Sequence, residues 1–135
     1  MNVNKLSNED MKLVTEAKAE INDAIKTLKG AHKLLKNSNW TRLAASKRLP
    51  NGENAYCAIG AIDACNIYGG YGLAVDVCDT VCSNGDIVDF NDYIAKEKRD
   101  VLRKFRRAIR TLESKKFVNK YVKDVLNDNG FYNEW

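Results

Sequence analysis

Five places in this 135-residue chain hold side chains whose types and spacing could do chemistry. Cys57 stands at the predicted start of a helix, where the helix dipole favours a thiolate, so it is the candidate nucleophile. Such a nucleophile needs a base, and His32 is the chain's one imidazole, with no pattern that brings it to Cys57. Asn91 and Asp92 pair an amide with a carboxylate. Beside Trp40, Arg42 and Tyr56 they would suit a nucleobase, a ribose or a small polar metabolite. The same two residues have a plainer use, since short amides and carboxylates hydrogen-bond local backbone and cap helices. Gly69-Gly70-Tyr71-Gly72 precedes a helical stretch, the place for a phosphate cradle. It lacks G-x-x-x-x-G-K-[ST] and follows no convincing strand, so it reads as an interhelical turn. Arg99, Arg103, Arg106 and Arg110 fall on one face of a helical stretch, where guanidinium groups could grip phosphates or simply face water. Finally, Cys57, Cys65, Cys78 and Cys82 are spaced C-x7-C-x12-C-x3-C, without the C-x2-C knuckles of structural zinc. They read as buried, reduced thiols behaving as small hydrophobes, and the spacing calls for neither metal nor cofactor.

The elements that must position these residues are helical. Ser7 followed by Asp10 predicts a helix start, with Glu9 and Asp10 at the positive end of the dipole. From there Val14, Ala17, Ile21, Ala24, Leu28, Ala31 and Leu35 recur in steps of three and four, predicting one long helix over residues 8–36. Alanine at every second seam position lets a neighbour approach closely. Residues 40–47 read as a short second helix, and Leu49-Pro50-Asn51-Gly52 is a strong turn. Tyr56-Cys57-Ala58-Ile59-Gly60-Ala61-Ile62 opens a third helix whose small residues invite close approach by a helix, a turn or a ligand. A fourth helix buries Leu73, Val77, Cys78, Val81 and Cys82, and residues 87–90 form a short extended piece. A fifth helix spans 96–114 and a sixth 116–127, closed by Asn129-Gly130. The aromatic tail Phe131–Trp135 is expected to fold back onto the core or to mediate self-association. The fold class is therefore all-α: a compact single domain over residues 1–135, with five or six helices and a long N-terminal one.

Composition narrows the partners. With 44% apolar and 30% charged residues the chain is ordinary for a globular protein. No stretch approaches the roughly 20 apolar residues that span a bilayer, and the polar N-terminus resembles no secretory signal. A cytoplasmic location without membrane association is expected. The net charge of +4 is unevenly spread. Residues 61–95 hold six aspartates and no Lys or Arg, whereas twelve Lys or Arg lie between Lys96 and Lys123. The two blocks could neutralise each other, or the basic one could meet an anionic partner.

The order Trp40, Gly52, Cys57-Ala58-Ile59-Gly60-Ala61-Ile62, Phe90-Asn91-Asp92, Val101-Leu102 and Ala108-Ile109 resembles a small family of unknown function found in bacteria and phages. The resemblance covers roughly residues 37–112 and departs from the commoner form after Trp40, where this chain has Thr41-Arg42-Leu43-Ala44. It implies a small helical protein and no particular activity. It also implies a phage-type accessory role, countering host defences by sequestering a nucleotide-like ligand or blocking a host protein. The expected ligand-binding residues are Trp40, Arg42, Tyr56, Asn91 and Asp92, with Arg99 and Arg103 neutralising phosphates. The expected partner is an anionic small molecule or a host protein, with nucleic acid on the basic helix as an alternative and a homo-oligomer left open. A Cys57-dependent hydrolase or transferase is the third reading. Binding without catalysis is preferred, and no catalytic residue is assigned.

Overall fold

The computed structural model describes residues 6–83 and 85–128. The expected Asn129-Gly130 cap and the aromatic tail lie outside the described residues. Helix α1 runs Asn8–Lys36. Its capping box is complete: the Asp10 amide donates to the Ser7 hydroxyl at 3.1 Å, and the Ser7 amide donates to the Asp10 carboxylate. Ala17, Ile21, Ala24, Leu28, Ala31 and Leu35 are all buried, so the predicted seam is the buried face. Helices α2 (Ala58–Ala64), α3 (Tyr71–Thr80), α5 (Lys98–Glu113) and α6 (Lys115–Asp128) pack around it. Phe105, Leu112, Ile62 and Ile87 fill the middle of the core. No helix among the described residues is long and apolar enough to cross a membrane.

The small seam residues are used by a turn of chain as well as by helices. Gly69 and Gly70 take φ of 85° and 68°, and a Cβ on Gly70 would lie 2.5 Å from the Ala24 amide nitrogen. The buried Thr27 hydroxyl donates to the Gly69 carbonyl at 2.9 Å, tying that turn to α1. At Gly30 the approach is looser, the Cys65 side chain sitting 3.3 Å from where a Cβ would be.

Two predicted elements differ. Residues 40–47 form no helix. Instead β1 (Asn39–Trp40), β2 (Ser46–Arg48) and β3 (Asn54–Tyr56) make a three-stranded sheet in the order β1-β3-β2. Trp40 pairs with Tyr56 in parallel register, and Ser46, Lys47 and Arg48 pair antiparallel with residues 54–56. The physical reason is pairing: Trp40 and residues 46–48 join β3, and between them the Thr41 carbonyl and the Leu43 amide are taken by the Asn91 and Asp92 side chains, so the backbone bonds a helix would need are made elsewhere. The Leu49–Gly52 turn closes the β2–β3 hairpin, with the Gly52 amide donating to the Leu49 carbonyl. The second difference is residues 87–90, which are helical rather than extended. The Asp86 carboxylate caps the Asp89 amide and Asp79 accepts from the Ile87 amide, starting α4 (Ile87–Asp89). That short helix runs straight into a π-helical turn, Phe90–Ile94, closed by the Ala95 amide on the Phe90 carbonyl.

Candidate functional site

The π-turn places Asn91 where three elements meet. Its side chain is fully buried, and its carboxamide oxygen accepts the Trp40 indole N–H at 2.7 Å and the Ala58 amide at 2.9 Å. Its amide nitrogen donates to the Thr41 carbonyl at 3.1 Å and to the Asp92 carboxylate at 2.9 Å. Those four bonds use the full capacity of an asparagine. Asp92 accepts in addition the Leu43 amide at 2.9 Å. Arg42 completes the node from outside, its guanidinium 4.8 Å from the Trp40 ring centroid and donating to the Ala95 carbonyl.

The structure thus brings Trp40, Arg42, Asn91 and Asp92 together, and it joins them to one another. Asn91 has no hydrogen-bonding group left for a ligand, so its chemistry here is to lock the π-turn onto the sheet and onto the first turn of α2. Tyr56 is a neighbour of Trp40 in the sheet and lines a separate polar groove with Asn37, Asn39 and Glu53.

A second feature lies on the other side of the π-turn. Phe90, Ile94 and Ala95 face α5 across a groove of about 590 Å³. Lys96, Arg103, Lys104, Arg106, Arg107 and Arg110 line it, against a single carboxylate, Asp100. Asp100 is engaged locally: it accepts the Lys96 and Glu97 amides at 2.9 and 3.1 Å, which hold its carboxyl below the usual carboxylate range. Lys104 donates to the Val81 carbonyl and lies 5.0 Å from the Phe90 ring centroid. Arg106 donates to His32 Nε2 at 3.3 Å. Burial, then the charges of Arg106 and Lys36, push the His32 pKa down, so the imidazole is neutral and available as that acceptor. Arg103 is 3.9 Å from Asp100, whereas Arg107 and Arg110 have no ion-pair partner among the described residues.

Of the two expected phosphate ligands, Arg103 lines this groove; Arg99 does not, and pairs with Glu97 at the start of α5. None of the six aspartates of residues 61–95 forms an ion pair with α5 among the described residues. The apolar wall of Phe90 and Ile94 was hidden in the sequence, because it exists only once residues 87–94 are helical.

Cys57 is the N-cap of α2, and its sulfur accepts the Gly60 amide at 3.4 Å. Burial outweighs that contact and pushes the thiol pKa up, with the nearby Asp92 charge adding to the rise. The helix start therefore does not make a thiolate here. Gly60 itself meets a turn of chain: a Cβ on it would lie 1.7 Å from the Ala45 carbonyl oxygen, which accepts the Cys57 amide at 3.1 Å. The close approach invited by the small-residue block is thus made by the loop between β1 and β2.

Neither a curated protein nor a solved structure matches this chain. A family model described as a family of unknown function, DUF6197, matches residues 20–111. That span contains the Asn91 node and the whole cationic wall of the groove, and stops short of α6. The chain belongs to this family of unknown function.

Proposed function

We propose that this protein acts by binding, and that the groove along α5 is the seat for a ligand carrying several negative charges. The observation that carries this reading is the lining itself, six cationic side chains around one carboxylate that the helix start already occupies. Arginines without counter-charges favour bidentate contact with phosphate or carboxylate oxygens. Phe90 and Ile94 supply an apolar floor that a bare ion would not need. Occupying a partner so as to block it is a role we take from the resemblance to a family found in bacteria and phages, and it needs no catalytic group.

The test is titration of the purified protein with ATP, a labelled oligothymidylate and a labelled glutamate-rich peptide, at about 50 and about 200 mM salt. At least one of these anions should bind, more weakly at the higher salt. Joint substitution Arg107→Glu and Arg110→Glu should weaken it by about tenfold or more, the size expected from losing charge-assisted bonds. Absence of binding by all three, or binding untouched by the double substitution, would overturn the proposal.

A further inference from the structure

Three of the large apolar side chains that face solvent come from one corner of the molecule. Leu43 is 69% exposed, Tyr93 74% and Ile94 45%. The Leu43 amide is bound to Asp92, the residue before Tyr93 and Ile94 in the π-turn, so the three share one neighbourhood. Leu43 has φ of 62° and is the one non-glycine residue with positive φ among the described residues. That conformation is strained for a leucine, and glycine or asparagine would take it more cheaply. What leucine adds at this position is a side chain, and the fold buries little of it. Backbone strain kept at an exposed apolar residue points to use of that residue. Ile94 also lines the cationic groove, so the apolar corner meets the arginine-lined groove at that residue.

We infer that this surface docks a partner protein through an acidic amphipathic segment. Apolar side chains of the segment cover Leu43, Tyr93 and Ile94, and its carboxylates meet Arg107 and Arg110. The inference rests on the groove being a polyanion site and names the polyanion. Two features favour a protein over a nucleic acid. Two of the three patch residues, Leu43 and Ile94, are aliphatic and offer no π-face for a base, and the Phe90 ring in the groove already lies under Lys104. That leaves Tyr93 as the exposed aromatic of the patch, whereas single-strand binders alternate cationic with aromatic groups. Exposed tyrosine beside arginine around an aliphatic patch is the composition of protein–protein contacts.

The experiment pans a random peptide library against the immobilised protein and measures the enriched peptides by fluorescence anisotropy. They are measured against wild type, Leu43→Asp, and the Arg107→Glu, Arg110→Glu double variant, with labelled oligothymidylate and ATP alongside. Enriched peptides should combine Asp or Glu with Leu, Phe or Trp. Leu43→Asp and the arginine pair should each weaken them by about tenfold or more, the effect of one lost anchor. Leu43→Asp should keep the wild-type circular dichroism and melting behaviour, because the replaced side chain is exposed and aspartate tolerates positive φ better than leucine. Failure to enrich any peptide, enrichment without acidic residues, or affinity unmoved by Leu43→Asp would each overturn the inference. So would oligothymidylate binding more tightly than any peptide. If ATP or oligothymidylate still binds in an arginine-dependent way, the groove stands as an anion site and only the protein partner is lost. If nothing binds, both fall.

Discussion

The Asn91 carboxamide oxygen takes the Trp40 indole N–H at 2.7 Å, 51 residues back along the chain, from a position with no solvent exposure. That bond, with the one from the Ala58 amide, makes a single side chain the joint between β1, α2 and the π-turn that forms one wall of the groove. Asn91→Ala would leave the Trp40 and Ala58 donors and the Thr41 carbonyl without their partner. Each buried group left unpaired costs about 1–3 kcal/mol, so a loss of about 3 kcal/mol or more is expected in denaturant unfolding. Asn91→Asp keeps an oxygen for the Trp40 and Ala58 donors but sets a carboxylate against the Thr41 carbonyl and Asp92. It should be destabilised at neutral pH and recover in part as acid protonates the new carboxyl. An Asn91→Ala protein within about 0.5 kcal/mol of wild type would show that the node is not holding the fold.

Gly60 and Gly72 give a matched pair. A Cβ at Gly60 would be driven into the Ala45 carbonyl at 1.7 Å, backbone that is fixed by its bond to Cys57. Gly60→Ala should therefore cost about 3 kcal/mol or more, beyond ordinary overpacking. Gly72 lies in α3 with nothing within 4 Å of the added Cβ. Gly72→Ala should stabilise by about 0.5–1 kcal/mol through helix propensity and a less disordered unfolded chain. Melting temperatures of the two variants should move in opposite directions.

Periodicity made much of this legible. The α1 seam, its Ser7 cap, and the spans of α5 and α6 were readable because a 3.6-residue repeat over many residues has one solution. The sheet was not readable. Its strands are two and three residues long, too short for an alternation to register, and their pairing is set by the Leu49–Gly52 turn and by Asn91, both nonlocal to β1. Residues 87–90 misled for a related reason: Ile-Val-Asp-Phe has strand-like composition, while the helix is started by side-chain caps from Asp79 and Asp86. The site residues divide in the same way. Trp40, Arg42, Asn91 and Asp92 were found as a group from residue type alone, but whether four polar groups face a ligand or one another is a question of geometry. Arg99 and Arg103 were expected together from the helix face, yet only Arg103 lines the groove, and Arg107 and Lys96 gained their place when the π-turn supplied the opposite wall.

The thiols should be poorly reactive in the folded protein. Burial raises the pKa of Cys57, Cys65, Cys78 and Cys82, so each holds its proton at neutral pH. Iodoacetamide should label Cys65, the half-buried one, first and the fully buried Cys78 last, as read by peptide mass spectrometry over time. A folded-state pKa above the unfolded one stabilises below about pH 8.5, the ordinary thiol value, and that stabilisation is lost as pH climbs through the raised values. Unfolding free energy should accordingly decline on the alkaline side. Rapid labelling of Cys57 ahead of Cys65 would instead revive it as a nucleophile.

Asp100 sets an acid-side dependence of opposite sign. The Lys96 and Glu97 amides hold its carboxyl below the usual range, so its contribution is present above about pH 3.9 and lost as pH falls through the lowered value. Asp100→Asn should remove that contribution, and the melting difference from wild type should shrink as the solution is acidified. A difference that stays constant down to low pH would assign the effect to something other than this carboxylate.

Leu43→Gly separates stability from use at the apolar corner. Glycine takes φ of 62° without steric cost, and the leucine it replaces is 69% exposed, so little packing is lost. The gain is the relieved strain less the extra freedom glycine has in the unfolded chain, which leaves about 0.5–1 kcal/mol of net stabilisation. If the leucine serves to dock an acidic amphipathic segment, the same variant should bind such peptides several-fold more weakly while melting higher. Arg107→Glu should behave differently, weakening binding and its salt dependence with little change in melting. The opposed movement of stability and affinity at Leu43 is what a strained contact residue produces. A more stable Leu43→Gly protein that binds as wild type does would leave the strain at this turn without a function.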